Sequence, residues 1–345
     1  MDRTANRTTA RDVAARAGVS PATVSKALSG KGPVHPETRE RIINAARELN
    51  LRSSHLEPPR GVKPLTVGLL ARESFNRRRT AMVVLSATAA LAERDIALLA
   101  REGNGDAIRE QNTAEALLHN VDGILVVGAD GGSYTRPPLH GDITVPVVYV
   151  MASSTDPADI CVVPDDRGGA ELAIRHLLST GRRDIACILG PSRQEAAKVK
   201  SSVTQDILRE HGLTLAADPL FGTWDEPWGR QATLQLMHTG ARVDGLICGN
   251  DRLARGAASA LQALGRSVPE DVGIIGFDNW DVMVDGNHPR LSSIDLNLSE
   301  VGRAAATILA EQISNPTNVG GTTVIESHLV PRESTDVLSP VSPRP

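Results

Sequence analysis

Aromatic side chains are scarce in this chain of 345 residues: two Tyr, three Phe and three Trp, or 2% of the sequence. Its core has to be built from Ala, Val, Leu and Ile, which favours α/β layers over an aromatic-rich sandwich. Long apolar runs are missing too. Nothing approaches the roughly eighteen apolar residues that span a bilayer, so no membrane contact is expected. The opening Met1-Asp2-Arg3-Thr4 is polar and no apolar h-region follows, so no secretory signal is expected. Cysteine is rare: Cys161, Cys187 and Cys248 each sit in an apolar run, with no CxxC and no histidine at ligand spacing. They read as buried thiols of a reducing cytoplasm, and no metal site is expected. Catalytic signatures are equally absent. There is no GxxxxGK[ST], no GxGxxG opening a helix after a strand, and no nucleophile elbow, so neither an enzyme nor a cofactor is called for.

The length exceeds one ordinary domain and fits a small domain plus a two-lobed larger one. At 41% hydrophobic and 23% charged residues the composition is that of ordinary globular material. The net charge of −4 conceals a split: residues 1–63 hold twelve Lys/Arg against six Asp/Glu, and the remainder holds 25 against 35. A cationic head on an acidic body implies that only the head approaches a polyanion.

Thr9 to Asn50 carries the densest local signals. Thr9-x-x-Asp12 is a capping-box-like start, after which Val13, Ala14 and Ala17 share one helical face. Gly18 marks a turn with positive φ. Ser20-Pro21 reads as an N-cap followed by proline at the first helical position. The second helix, Pro21 to Leu28, buries Val24, Ala27 and Leu28 and turns Ala22, Thr23, Ser25, Lys26 and Ser29 outward. A third helix, Glu37 to Leu49, presents Ile42, Ile43, Ala46 and Leu49 to the other two. Two short helices around an Ala-Gly-Val turn, braced by a third, make a helix-turn-helix whose second helix fits the major groove.

This segment resembles the LacI/GalR family of bacterial repressors through Asp12-Val13-Ala14, Ala17-Gly18-Val19-Ser20, Thr23-Val24-Ser25, Thr38-Arg39 and Ala46 to Asn50. The resemblance implies binding to a double-stranded DNA operator, commonly as a repressor. It implies phosphate contacts from Thr9, Ser20, Thr23, Ser25, Ser29, His35 and Thr38, and base reading by Pro21, Ala22 and Lys26. Of the three readers only Lys26 can donate a side-chain hydrogen bond, so the other two would contact thymine methyls. The family continues into a hinge helix that wedges a leucine into the minor groove. Here the chain reads LRSSHLEPPRGVKPL, with Arg60 at the leucine's position and Pro58-Pro59 set to break a helix. Two readings stay open: Arg60 enters a narrow minor groove, or the segment is a flexible linker.

From Leu65 onward, strand-like runs (Thr66–Ala71, Ile96–Ala100, Gly123–Val127, Val145–Met151, Asp184–Leu189, Gly245–Cys248, Val272–Gly276) alternate with amphipathic segments such as Thr113–His119 and Gly169–Thr180. That alternation argues for parallel sheets covered by helices. The resemblance extends through DDRGGAELAIRHLLSTGRRDIACILGP, DGLICGNDRLARGAASAL, PEDVGIIGFDN and LVPREST. It implies two Rossmann-like lobes joined by three crossovers, as in periplasmic sugar-binding proteins, with a sugar-like effector between them. The expected domains are a headpiece at 8–51, a linker or atypical hinge at 52–64, a two-lobed effector and dimerisation domain at 65–336, and a flexible tail at 337–345.

Ligands of such sheets bind outside the carboxyl ends of strands. Asn250-Asp251, Asp278-Asn279 and Gly190-Pro191 hold such positions. By family position Asn250, Asp278, Trp224 and Asp165 are effector-binding candidates, although Asn and Asp also excel at capping turns. Where the family has an arginine followed by Gly-Phe, this chain has Lys200, which keeps the charge without the guanidinium fork. Arg77-Arg78-Arg79 is unusual as well, and reads either as a solvated charge run or as a cationic cleft suited to an anionic effector such as a sugar phosphate. One recognition helix covers few base pairs, so a homodimer on a two-fold-related operator is expected. The tail after Thr335, DVLSPVSPRP, has no leucine heptad for a coiled-coil tetramer. A solute-binding protein would share the two-lobed body, but Thr9–Asn50 and the lack of an export signal argue against it.

Overall fold

The computed structural model describes residues 9–29, 33–49, 64–103, 106–128, 135–139, 141–317 and 319–336. The expected linker, with Arg60, lies outside these residues except for its last position, and the expected tail lies outside them entirely. The chain separates into two compact units, residues 1–64 and 65–345.

In the first unit, three helices pack on one another: α1 (Ala10–Ala17), α2 (Pro21–Ser29) and α3 (Pro36–Glu48). The Asp12 carboxylate takes the backbone N–H of Thr9 at 2.6 Å and its hydroxyl at 2.7 Å, which fixes the start of α1. Gly18 ends that helix at φ 65°, and its N–H returns to the Ala14 carbonyl. Only a residue without Cβ adopts this backbone freely. Val13, Ala14, Ala17, Val24, Ala27, Ile42 and Ala45 form the buried centre. The expected face of α3 needs one correction. Ile43 is half-buried and stands outside the cluster, while Ala45 is buried. The stripe from Ile42 runs through Ala45, Ala46 and Leu49, and Ile43 is turned about 100° away from it.

The second unit has two lobes. The first carries β1 (Thr66–Ala71), α4 (Arg78–Ala92), β2 (Ala97–Glu102), α5 (Ala107–Leu118), β3 (Gly123–Val127), the two-residue strands β4 (Thr135–Arg136) and β6 (Ser153–Ser154), β5 (Val147–Val150) and β7 (Ile160–Pro164). The second carries α6 (Asp166–Ser179), β8 (Ile185–Leu189), α7 (Glu195–Glu210), β9 (Leu220–Phe221), α8 (Glu226–His238), β10 (Gly245–Cys248), α9 (Asp251–Ala263), β11 (Gly273–Phe277), α10 (Asp281–Val284) and β12 (Ser292–Asp295). The chain then returns to the first lobe with α11 (Leu298–Ser314) and β13 (Gly321–Ile325), and ends in the second with β14 (His328–Val330). The sheet orders are β13-β7-β5-β3-β1-β2 and β14-β12-β11-β10-β8-β9. Every pairing in these two sheets is parallel except that of β14 with β12. Central strands such as β3, β8 and β11 are buried along their whole length, which is why their sequences are continuous apolar runs.

The chain thus crosses between lobes three times, after β7, after β12 and after β13. The first and third crossings are tied together. Asp165 N–H donates to the Ile325 carbonyl at 2.9 Å, and the Ser327 hydroxyl donates to the Asp165 carbonyl at 2.8 Å. All three cysteines are free and buried, and burial pushes the Cys187 thiol up to about 12. Among the described residues no helix is long and apolar enough to cross a membrane.

Candidate functional site

On the first unit, α2 presents Pro21, Ala22, Ser25 and Lys26 to solvent, with Thr23 half-buried and Ser29 as the last residue of the helix. Ser20 caps the helix: its Oγ accepts the Thr23 N–H at 3.1 Å and lies 2.8 Å from the Thr23 hydroxyl. Thr9 is exposed at the start of α1, His35 is exposed just before α3, and Thr38 is half-buried in that helix's first turn. Small residues and hydroxyls near helix N-termini, with the Lys26 ammonium in the last turn of α2, make a surface that can approach phosphate oxygens closely.

On the second unit, a cleft of about 280 Å³ opens at the carboxyl ends of the strands of both sheets. The first lobe contributes the loop after β1, the start of α4, the end of β3 and Met151, and the second contributes residues after β10 and β11. Lys200, Trp224, Asn250 and Asp278 all line it. Asp165 does not. It is the N-cap of α6, accepting the Gly168 N–H at 2.7 Å, and the residue brought beside Lys200 is its neighbour Asp166.

Each lining residue has a different degree of freedom. Trp224 lies against Gly190 and Gly249, where a Cβ would fall 2.0 and 2.6 Å from the indole ring, and its Nε1 donates to Gln194 Oε1. A flat aromatic wall at the strand ends therefore requires glycine at both positions. Asn250 is committed to the protein, since its Oδ1 accepts the Leu253 N–H at 2.9 Å as the N-cap of α9 and its Nδ2 donates to the Trp224 carbonyl at 3.4 Å. Asp278 differs. It holds φ 89°, its N–H donates to the Ile294 carbonyl at 2.9 Å, and its carboxylate receives no hydrogen bond from any described residue. Lys200 is almost wholly buried, with Nζ 2.8 Å from Asp166 Oδ1 and 4.5 Å from the centre of the Phe277 ring.

Further residues line the cleft, among them the arginine run that reads from sequence either as solvated charge or as a cationic cleft. Arg77, Arg78 and Arg79 all face the cleft, so the run is not simply a solvated one. Arg78 sits 5.7 Å over the Trp280 ring and donates to the Asn279 carbonyl at 3.2 Å, and Arg79 reaches Asp166 at 3.3 Å. Both contacts run from the first lobe to the second. Asp251 is buried beneath Asp278 and accepts the Ser293 hydroxyl and the Trp280 N–H, each at 2.6 Å. Burial, reinforced by the charge of Asp278, pushes its acid up to about 8. The available signals were adjacency: Asp251 follows Asn250, and Trp280 stands two residues beyond Asp278.

A family model described as bacterial regulatory proteins, lacI family, matches residues 9–54, and one described as a periplasmic binding protein-like domain matches residues 174–335. The regulator MalR of Streptomyces coelicolor is 30% identical over 338 residues, which cover 94% of this chain and 95% of that protein. The chain belongs to the LacI family. The sucrose operon repressor of Escherichia coli is similarly 30% identical over 315 residues, 87% of this chain and 93% of that one. Among solved structures, the complex of the transcriptional regulator CelR with cellobiose shares 28% identity and a TM-score of 0.65, over 95% of this chain and 100% of that one. As a LacI-family member the chain is a DNA-binding transcriptional regulator, with the three-helix unit as its headpiece and the two-lobed unit as its sensor.

Proposed function

We propose that this regulator is a cytoplasmic homodimeric repressor, not an enzyme, whose grip on its operator is set by a sugar-like effector held between the lobes of the sensor. The observation that carries the reading is the Asp278 carboxylate. It faces a cleft shared by both lobes, takes no protein donor among the described residues, and lines the same cleft as the flat indole of Trp224. A charged acceptor and an aromatic wall are the two features that hold sugar hydroxyls and sugar C–H faces. CelR, a relative in fold and sequence, is solved with cellobiose. The functional division runs as a headpiece at 8–51, a linker at 52–64, a sensor at 65–336 and a tail at 337–345. On the headpiece Lys26 reads a base edge, Pro21 and Ala22 meet thymine methyls, and the hydroxyls around α2 with His35 and Thr38 hold phosphates.

Calorimetry with cellobiose, maltose and sucrose, paired with operator-binding titrations, tests this. Asp278→Asn is the informative variant, because asparagine tolerates positive φ and removes only the charge. It should weaken effector binding by about 2 kcal/mol while leaving melting temperature and effector-free operator affinity unchanged. Unaltered effector affinity in this variant would exclude Asp278 from the site.

A further inference from the structure

The cleft carries more positive charge than a neutral sugar needs. Arg77, Arg78, Arg79, Lys200 and Arg252 all line it. Lys200 and Arg79 lean on Asp166, but Arg77, Arg78 and Arg252 form no ion pair with any described residue. Their carboxylate neighbours in the lining are Glu73 and Asp278, because Asp251 with an acid near 8 is largely protonated at neutral pH.

The wall formed by the start of α4 is also short of acceptors. Arg77 is the N-cap of this 15-residue helix, supplies no side-chain cap, and no acidic residue stands in the first turn. The amides of Arg78 and Thr80 therefore find no acceptor among the described residues. Thr80 is only 1% exposed, lines the cleft, and its hydroxyl has no hydrogen-bond partner among the described residues. An anion bound at a helix N-terminus beside guanidinium groups satisfies hydroxyl, amides and charge together.

We infer that the effector is an anionic sugar derivative, a sugar acid or a sugar phosphate, whose oxyanion is seated at the N-terminus of α4 by Thr80, the free amides and Arg77. This rests on the cleft being the effector site, with the sugar's hydroxyls directed to Asp278. The lobe-bridging contacts of Arg78 and Arg79 then lie next to the bound charge, which links its arrival to lobe closure.

The full-length protein is titrated calorimetrically with D-glucose, D-glucuronate and D-glucose 6-phosphate, and with inorganic phosphate and sulfate as bare oxyanions. Glucuronate and glucose 6-phosphate separate the carboxylate from the phosphate source. At matched ionic strength, phosphate or sulfate should raise the melting temperature above that in chloride, and one anionic sugar should bind about tenfold or more tighter than glucose. Arg77→Gln and Thr80→Val should each reduce both effects by about tenfold without changing the melting temperature of the unliganded protein, because Arg77 is exposed and Val matches the shape of Thr. An oxyanion effect that survives both substitutions belongs to the outer surface and overturns the inference. So does a parent protein indifferent to every oxyanion and anionic sugar. A neutral sugar that binds, is weakened by Asp278→Asn and ignores Arg77→Gln would leave the effector cleft in place and overturn only its anionic character.

Discussion

Lys200 and Asp166 meet at 2.8 Å with both side chains almost wholly buried, so the charge that lines the cleft at Lys200 is already spoken for. Breaking a buried pair by removing one partner strands the other charge and typically costs about 3–5 kcal/mol. Arg79, 3.3 Å from the same carboxylate, offsets part of that. Lys200→Met should therefore destabilise the sensor by about 3 kcal/mol in urea unfolding, and adding Asp166→Asn should restore part of the loss. Equal stability of Lys200→Met and the parent protein would show that the pair contributes nothing.

The buried acid of Asp251 makes a prediction about pH. Its folded value, about 8, lies above the ordinary carboxylate value it regains on unfolding. Between the two, the unfolded chain has released a proton that the folded protein keeps. The stability from this group is complete at low pH, falls as pH rises through that window, and is gone above about 8. Asp251→Asn should flatten the difference in stability between about pH 4 and 8, with the Ser293 hydroxyl turning to accept from the new amide. Parallel profiles for the two proteins would mean that Asp251 is ionised throughout.

Gly190 is predicted to hold Trp224 in place by what it lacks. Its φ is not positive, so an added methyl acts only through contact, and that contact would be 2.0 Å from the indole. Gly190→Ala should displace the ring, shift the tryptophan emission in a Trp228→Phe, Trp280→Phe background, and weaken effector binding by about 1 kcal/mol or more. An unmoved emission spectrum would place the ring elsewhere.

On the headpiece, Lys26→Ala should cost about 1–3 kcal/mol of operator affinity and relax preference at one base position per half-site. Effector affinity should be unchanged. A uniform loss across all operator variants would assign Lys26 to phosphate alone.

Much of this architecture is legible in sequence where burial is local and two-sided. The runs Thr66–Ala71, Gly123–Val127 and Gly245–Cys248 are strands at those same residues. β12 is not legible, because Ser292-Ser293 gives it no continuous apolar run. Both serines are fully buried, and their hydroxyls are taken up by Thr335 and Asp251, partners 42 or more residues away. β13 also escapes, since its residues are mostly exposed at the edge of a sheet. In the cleft, strand-end Asn and Asp residues are recognisable by type. Whether Asp165 or Asp166 faces Lys200 depends on where α6 begins, and the destination of Arg77 to Arg79 depends on where α4 begins. Tertiary packing sets both starts.

The three crossings have a consequence for how the sensor is made. Neither lobe is a continuous stretch of chain: the first lacks an edge strand until Gly321–Ile325 has been synthesised, and the second lacks one until His328–Val330. Multidomain chains commonly fold from the N-terminus as they leave the ribosome. Here the headpiece can form early, while both sensor sheets wait for residues 321–330 and close almost together. A nascent chain halted before Gly321 would therefore display a finished DNA-binding head on a body with two open sheet edges.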